Sequence, residues 1–115
     1  MTTIAALTKE ILAFRDERDW LQFHNPKDMA AAIAIEAAEL QELFLWKNHE
    51  EQLQIVQAKR ERIGEELADI AVYLLELAHN LGFDLGVLIE DKLKKNAEKY
   101  PILLSKGSSR KYDEL

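Results

Sequence analysis

Two pairs of acidic residues in this chain lie among aliphatic residues, and each pair has a spacing of three. IEAAEL, residues 35–40, contains Glu36 and Glu39, and IGEELADI, residues 63–70, contains Glu66 and Asp69. Two like charges about 4 Å apart repel by about 4 kcal/mol at an effective dielectric of about 20, so four clustered carboxylates need a cation or bound protons. The pattern therefore predicts a divalent metal site built from these four carboxylates.

The chemistry of the four side chains indicates which ion they would bind. The chain has no cysteine, and a site made only of oxygen ligands favours Mg²⁺, or Mn²⁺, over Zn²⁺. Magnesium keeps water molecules and binds substrate phosphates, which indicates phosphate chemistry. Two alternatives are a solvated acidic face and a di-iron bundle. The second needs two Glu-x-x-His motifs, and only Glu76 with His79 fits, a pair that we expect to point away from the acids.

Apolar spacing predicts an all-α fold with four helices, over residues 4–18, 26–46, 63–81 and 85–100. The polar segment KNHEEQLQ, residues 47–54, is interpreted as the connection between the second and third helices. Short connections between long amphipathic helices favour a four-helix bundle-like domain of antiparallel helices. We expect this domain to cover residues 1–103 and a mobile tail to cover residues 104–115.

Helical geometry explains how the two acidic pairs could meet. At about 100° per residue, Glu66 lies about 60° and Asp69 about 120° from the apolar stripe of the third helix, whereas Glu65 points nearly opposite. Glu36 and Glu39 have the same offsets on the second helix. An antiparallel hairpin that turns midway between residues 52 and 53 would place all four acids together. The two stripes are Ile63, Leu67, Ile70 and Leu74, and Ile33, Ala37, Leu40 and Phe44.

The composition restricts the partners of the protein. A formal net charge of −6 disfavours binding to nucleic acid polymers, which requires a basic surface. The sequence contains no apolar run of about 20 residues and no visible signal peptide, which favours a cytoplasmic protein that binds no membrane. Apolar residues such as Ile35 and Val72 lie on further helix faces and predict a homo-oligomer, either a dimer or a tetramer.

The acidic motifs, EAAE at residues 36–39 and EELAD at residues 65–69, resemble the signature of the MazG-like all-α nucleoside triphosphate pyrophosphohydrolases. The segments FRDERDWLQFHNPK, LFLWK and KNAEKYP resemble the small single-domain branch that includes dCTP pyrophosphatases. The resemblance covers about residues 10–101. It implies Mg²⁺-dependent hydrolysis of a deoxynucleoside triphosphate between the α and β phosphates, with dCTP or a modified form of dCTP as the expected substrate in nucleotide pool cleaning.

The resemblance also assigns roles to individual residues. It makes Glu36, Glu39, Glu66 and Asp69 metal ligands, and Glu36 or Glu39 would also orient the attacking water. Further residues are predicted to bind substrate: Trp20, His24 and Trp46 at the base, and Lys92, Asn96, Lys99 and Tyr100 at the phosphates and sugar. Trp46 as a core residue and the lysines as a solvated basic face remain alternatives. For the whole protein, the alternative function is a non-catalytic helical module for nucleotide or metal binding or for oligomerisation.

Overall fold

The computed structural model describes residues 2–115, and these residues form helices and turns without any β-strand. The all-α prediction is therefore confirmed. The chain divides into two compact units, the first ending at Gly82 and the second spanning Phe83–Leu115. The α-helices are α1 (Ile4–Glu17), α2 (Pro26–Glu42), α3 (His49–Ala58), α4 (Arg60–Asn80), α5 (Leu85–Lys99) and α6 (Ile102–Ser105), with short 3₁₀ turns at Leu21–Phe23 and Tyr112–Glu114.

Side-chain caps start three of the predicted helices at the expected residues. Thr3, Asn25 and Asp84 each accept a hydrogen bond from the backbone N–H three residues later, at 2.9 to 3.2 Å. Each bond satisfies a donor that has no partner within its own helix. After α4, Gly82 adopts a left-handed backbone with φ of 78°, which glycine reaches without a steric penalty and which stops the helix.

The interpretation of residues 47–54 as a simple connection is wrong, because they enter helix α3. Asn48 Oδ1 accepts a hydrogen bond from the Glu51 backbone at 2.9 Å, and Glu51 Oε1 accepts one from the Asn48 backbone at 3.2 Å. This reciprocal capping box starts a helix with little apolar periodicity. The described residues therefore contain six α-helices instead of four, and α2 ends at Glu42 rather than near Trp46.

The Asn48→Ala variant tests whether this capping box holds α3 in place. We expect a loss of about 1 kcal/mol in the free energy of unfolding, because the Glu51 backbone donor loses its acceptor. Denaturant unfolding followed by circular dichroism measures the change. His49→Ala alters the next residue without removing a cap hydrogen bond and serves as the control. Equal stability of the two variants would show that the cap contributes nothing.

Helix α4 is the centre of the first unit: α1 and α2 pack against it, and α3 leads into its start through Lys59. His24, just before α2, contacts Glu76 near the end of α4. Farther along α2, Glu36 contacts Glu66 near the start of α4. Residues later in the chain around α2 therefore contact residues earlier in α4. The two helices run antiparallel, as predicted.

The buried side of α4 differs from the predicted apolar stripe. Leu67 and Leu74 are 54% and 41% exposed, whereas Glu66 and Glu76 are only 3% and 2% exposed. The contact with α2 is therefore centred on the acidic flank, about 60° around the helix from the stripe. Glu76 also lies on this buried flank, so the expectation that it points away from the acids is wrong.

The second unit consists of α5, α6 and the C-terminal residues. The ring of Tyr112 meets the ring of Tyr100 edge to face, with centroids 6.2 Å apart. Lys99 Nζ lies 4.8 Å from the centroid of the Tyr112 ring. The C-terminal segment thus contacts the end of α5, and the mobility of residues 104–115 stays a prediction.

Within residues 2–115, no individual helix has both the length and the apolar composition needed to cross a bilayer. Helices α4 and α5 reach the required length and hydropathy only when the two are counted together.

Candidate functional site

Three of the four predicted metal ligands meet where α2 packs against α4. Glu36, Glu39 and Glu66 each offer a carboxylate oxygen within 4.8 Å of the others. We call these three residues the acid cluster. Glu36 and Glu39 are half-buried and Glu66 is buried, because the packed helices cover one side of the cluster. The i, i+3 spacing on α2 and the antiparallel pairing with α4 produce this convergence.

Two oxygens of the acid cluster lack ordinary hydrogen-bond partners. Glu36 Oε2 and Glu66 Oε2 are buried, and neither accepts a hydrogen bond from an N–H or hydroxyl group of the described residues. A buried carboxylate oxygen without a donor is costly, so another positive charge or a shared proton must stabilise it. Three converging carboxylates with two such oxygens have the donor chemistry of a site for a hard divalent cation.

The acid cluster shifts the pKa values of its members in opposite directions. The hydrogen bond with Glu66, together with burial and the charge of Glu39, raises the pKa of Glu36 to about 7. Burial by itself would raise the pKa of Glu66, but hydrogen bonds from Glu36 and Arg62 outweigh burial and lower it. Without a cation, the arrangement therefore favours one proton, held on Glu36 and shared with the Glu66 carboxylate.

Asp69, the fourth predicted ligand, lies outside the acid cluster but acts on it electrostatically. Its negative charge contributes to the raised pKa of Glu36. Asp69 is exposed and borders a groove of about 580 Å³ between α1 and α4. This groove is otherwise largely apolar, with Leu7, Ile11, Phe14, Val72 and Leu75 among its lining residues. The role of Asp69 as a metal ligand stays a prediction.

Sequence reasoning missed Arg62, whose guanidinium supplies the nearest positive charge. Arg62 Nε donates to Glu66 Oε1 at 2.8 Å from the preceding turn of α4. The arginine side chain is 55% exposed, so it reaches the buried carboxylate from the solvent side. The i, i+4 spacing of the two residues on one helix could have predicted this ion pair from the sequence. Arg62 neutralises one carboxylate of the acid cluster and leaves the other two without a partner of this kind.

A second polar cluster surrounds Glu76 and includes the predicted base-binding residue His24. His24 Nδ1 lies 2.7 Å from Glu76 Oε2. Asn80 Nδ2 donates to the same oxygen at 3.1 Å, and Arg15 Nη1 forms an ion pair with it at 3.7 Å. Arg15 also donates to Asn80 Oδ1 at 3.0 Å. We call these four residues the Glu76 cluster, and of them only His24 was singled out from the sequence as a site residue.

The aromatic residues proposed for base binding have two different surroundings. Trp20 is 43% exposed, and its ring lies 6.3 Å from the ring of His24 and 5.9 Å from that of Phe14. Trp46 follows α2 in a left-handed backbone with φ of 63°, which is rare for a bulky residue, and is 90% exposed. The alternative that Trp46 is a core residue is therefore wrong for the single chain.

The remaining predicted substrate-binding residues belong to the second unit. Lys92, Asn96 and Lys99 lie on α5, and Tyr100 is its C-cap residue. Asn96 is half-buried, while the other three are exposed. Their predicted contacts with phosphate and sugar stay predictions.

Comparison with known proteins identifies the family of this chain. The sequence profile of the MazG-like family matches residues 31–115. The chain is 43% identical over 104 residues to dCTP pyrophosphatase 1 of Bos taurus, covering 89% of this chain and 62% of that protein. The Homo sapiens protein of the same name is 42% identical over 104 residues, covering 89% of this chain and 61% of that protein. The chain thus spans about three fifths of the length of these relatives.

The fold itself has a counterpart among solved structures. A crystal structure of a pyrophosphatase from Archaeoglobus fulgidus superposes with a TM-score of 0.83 and 34% sequence identity, covering 88% of this chain and 94% of that one. The family profile includes both acidic motifs and covers most of the chain. The chain therefore belongs to the MazG-like family.

Proposed function

We propose that the protein is a Mg²⁺-dependent nucleoside triphosphate pyrophosphohydrolase. It adds water across the bond between the α and β phosphates of a deoxynucleoside triphosphate, yielding the monophosphate, pyrophosphate and a proton. The observation that carries this proposal is the acid cluster, with its two buried oxygens that accept no ordinary hydrogen bond. The names of the mammalian relatives support dCTP as the substrate.

The acid cluster has the ligands that a magnesium ion requires. Glu36, Glu39 and Glu66 would hold the ion, with Asp69 as the predicted fourth ligand. A divalent cation there supplies positive charge to the phosphate oxygens and makes a nearby water more acidic. The half-buried carboxylate of Glu36 or Glu39 would orient the attacking water and accept its proton.

Base recognition is assigned to the side chains on either side of the 3₁₀ turn that precedes α2. Trp20 offers an exposed ring on which a nucleobase can stack, and His24 beside it offers a hydrogen-bonding edge. Stacking on an aromatic side chain is worth about 1 to 3 kcal/mol per base. The family resemblance also supports Lys92 and Lys99 as residues that bind the triphosphate.

A substrate screen tests the proposed reaction directly. The protein is incubated with each of the common deoxynucleoside triphosphates and Mg²⁺, and the products are separated by ion-exchange chromatography. We expect monophosphate and pyrophosphate in equal amounts, with dCTP hydrolysed fastest. Orthophosphate as the primary product would contradict the assigned bond. Nucleotide binding without any product would favour the non-catalytic alternative.

We also propose that the protein functions as a homo-oligomer, because one chain leaves much of its apolar surface uncovered. Among the described residues only Met29 and Ala78 are buried apolar residues, whereas Leu67 and Leu74 on α4 remain exposed. Fully burying an exposed leucine is worth about 1.5 to 3 kcal/mol, and covering the part of Leu67 or Leu74 that remains exposed would contribute a fraction of that. The apolar groove between α1 and α4 adds to the surface that a second copy would cover.

The Leu74→Lys variant tests this assembly. A lysine at a buried interface position must be desolvated, so we expect a smaller sedimenting species than in the wild type. Sedimentation velocity at micromolar concentration measures the change. Glu65→Lys introduces the same residue at another exposed position of α4 and should keep the wild-type mass. A monomeric wild-type protein would reject the proposed homo-oligomer.

A further inference from the structure

The Glu76 cluster, formed by Arg15, His24, Glu76 and Asn80, is separate from the acid cluster. Glu76 lies ten residues after Glu66 on α4, which corresponds to about 15 Å at 1.5 Å per residue. Glu76 is 2% exposed and Arg15 is 7% exposed, so both charges are buried in the first unit. A buried ion pair of this kind adds little stability compared with apolar residues of similar size. Stability alone therefore does not explain the cluster, which points to a functional role.

Every partner of Glu76 within the cluster offers it either a hydrogen-bond donor or a positively charged group. Asn80 Nδ2 donates to Oε2, and the Arg15 guanidinium lies 3.7 Å from the same oxygen. Glu76 thus acts as an acceptor, and the guanidinium of Arg15 is shared between Glu76 and Asp16, whose Oδ1 lies 2.9 Å from Arg15 Nε. A carboxylate can only accept, so His24 Nδ1, at 2.7 Å and 3.0 Å from the two oxygens, must carry the proton.

Protonation at Nδ1 determines what the other ring nitrogen can do. In a neutral imidazole with its proton on Nδ1, Nε2 is an acceptor. The His24 side chain is 17% exposed, so part of the ring remains accessible, and the exposed Trp20 ring lies 6.3 Å away.

We infer that Glu76 is a positioning residue that holds His24 as an Nδ1–H imidazole, so that Nε2 accepts a hydrogen bond from an amino-bearing base stacked beside Trp20. This inference rests on the proposed function. Cytosine has an amino group at the position where uracil has a carbonyl oxygen. An Nε2 acceptor therefore favours dCTP over dUTP, since uracil would place two acceptors against each other.

The tautomer of His24 is measurable without substrate. Two-dimensional ¹⁵N–¹H NMR on imidazole-labelled protein, at a pH where the ring is neutral, distinguishes an Nδ1–H from an Nε2–H histidine. We expect Nδ1–H in the wild type and loss of that preference in a double variant, Arg15→Met with Glu76→Leu. The double variant removes the buried pair at similar volume, which usually preserves folding. His79→Ala, which removes an exposed imidazole nearby on α4, is the matched control.

The second readout is the selectivity between dCTP and dUTP. If Glu76 had a purely structural role, its replacement would not change this selectivity. We expect the ratio of kcat/KM for dCTP to kcat/KM for dUTP to fall at least about tenfold in the double variant, mainly through dCTP. The control should keep the wild-type ratio. Glu76→Gln, whose amide oxygen can still accept from Nδ1, should keep part of the dCTP to dUTP selectivity that the double variant loses.

The outcomes separate this inference from the proposed function. An Nε2–H tautomer in the wild type, or an unchanged tautomer in the double variant, overturns the positioning role of Glu76. A changed tautomer with an unchanged dCTP to dUTP ratio overturns the role in base selection. If the wild type hydrolyses no deoxynucleoside triphosphate, the proposed function fails and the base-selection role fails with it. The NMR result still decides the positioning of His24.

Discussion

Replacement of Glu66 by glutamine is expected to lower pyrophosphate release by at least about 100-fold. Glu66 is the most buried member of the acid cluster, and its Oε2 accepts no ordinary hydrogen bond. Glutamine keeps the shape of the side chain but removes the negative charge that would hold a divalent cation. The charge stabilisation supplied by such a cation is worth several kcal/mol, and each loss of about 1.4 kcal/mol slows a reaction about tenfold.

The neighbouring residue provides a matched control for this substitution. Glu65→Gln removes the same charge one position earlier on α4, where the side chain is exposed. It should keep wild-type turnover and the wild-type rise in Tm on addition of Mg²⁺, whereas Glu66→Gln should lose both. Circular dichroism of the two variants checks that α4 remains helical. Wild-type turnover in Glu66→Gln would remove the acid cluster from the reaction.

The acid cluster was predictable because it depends on local geometry and one pairing rule. The i, i+3 spacing places Glu36 and Glu39 on one flank of α2, and an antiparallel neighbour with the same pattern brings Glu66 to them. Helix starts at Thr3, Asn25 and Asp84 were predictable for a similar reason, since each cap lies within three residues of the backbone group it satisfies.

Features that depend on tertiary or subunit contacts were harder to predict from the sequence. The apolar stripe through Leu67 and Leu74 was predicted from the helical periodicity, but both residues are exposed in the single chain. Apolar periodicity shows which residues avoid water and does not show whether the same chain or a second copy covers them. Helix α3 was missed because its capping box is a local signal that apolar periodicity does not register.

The Glu76 cluster joins residues far apart in sequence, since Arg15 and Asn80 are 65 positions apart. No local rule pairs them. A partial signal was nevertheless present, because Glu66, Tyr73 and Asn80 recur every seven residues and therefore share one flank of α4. Tyr73 lies between the two clusters on this flank, where burial and the charges of Glu36, Asp69 and Glu76 raise its pKa. Polar periodicity on α4 thus marked the flank on which the polar clusters lie.

In the absence of divalent cations, the protein is expected to lose stability as the pH rises from about 5 to about 8, and Glu36 is the cause. The pKa of Glu36 is raised from 4.5 to about 7 by the hydrogen bond with Glu66, by burial and by neighbouring charges. Between these values the folded protein holds a proton that the unfolded chain releases. The resulting stability is fully present below about 4.5 and is lost as the pH rises through about 7.

A divalent cation should reverse this dependence, because it competes with the proton for the same carboxylates. The increase in Tm caused by millimolar Mg²⁺ should therefore be larger at about pH 8 than at about pH 5.5, when each is compared with a sample in EDTA. Glu36→Gln carries a permanently neutral side chain, so its Tm in EDTA should vary less with pH than that of the wild type, and its response to Mg²⁺ should be weak at both pH values. The difference between the wild type and Glu36→Gln cancels the contributions of titrating groups that do not interact with Glu36. Parallel profiles of Tm against pH for the two proteins in EDTA would mean that Glu36 holds no extra proton. The carboxylates of the acid cluster would then not repel one another as described.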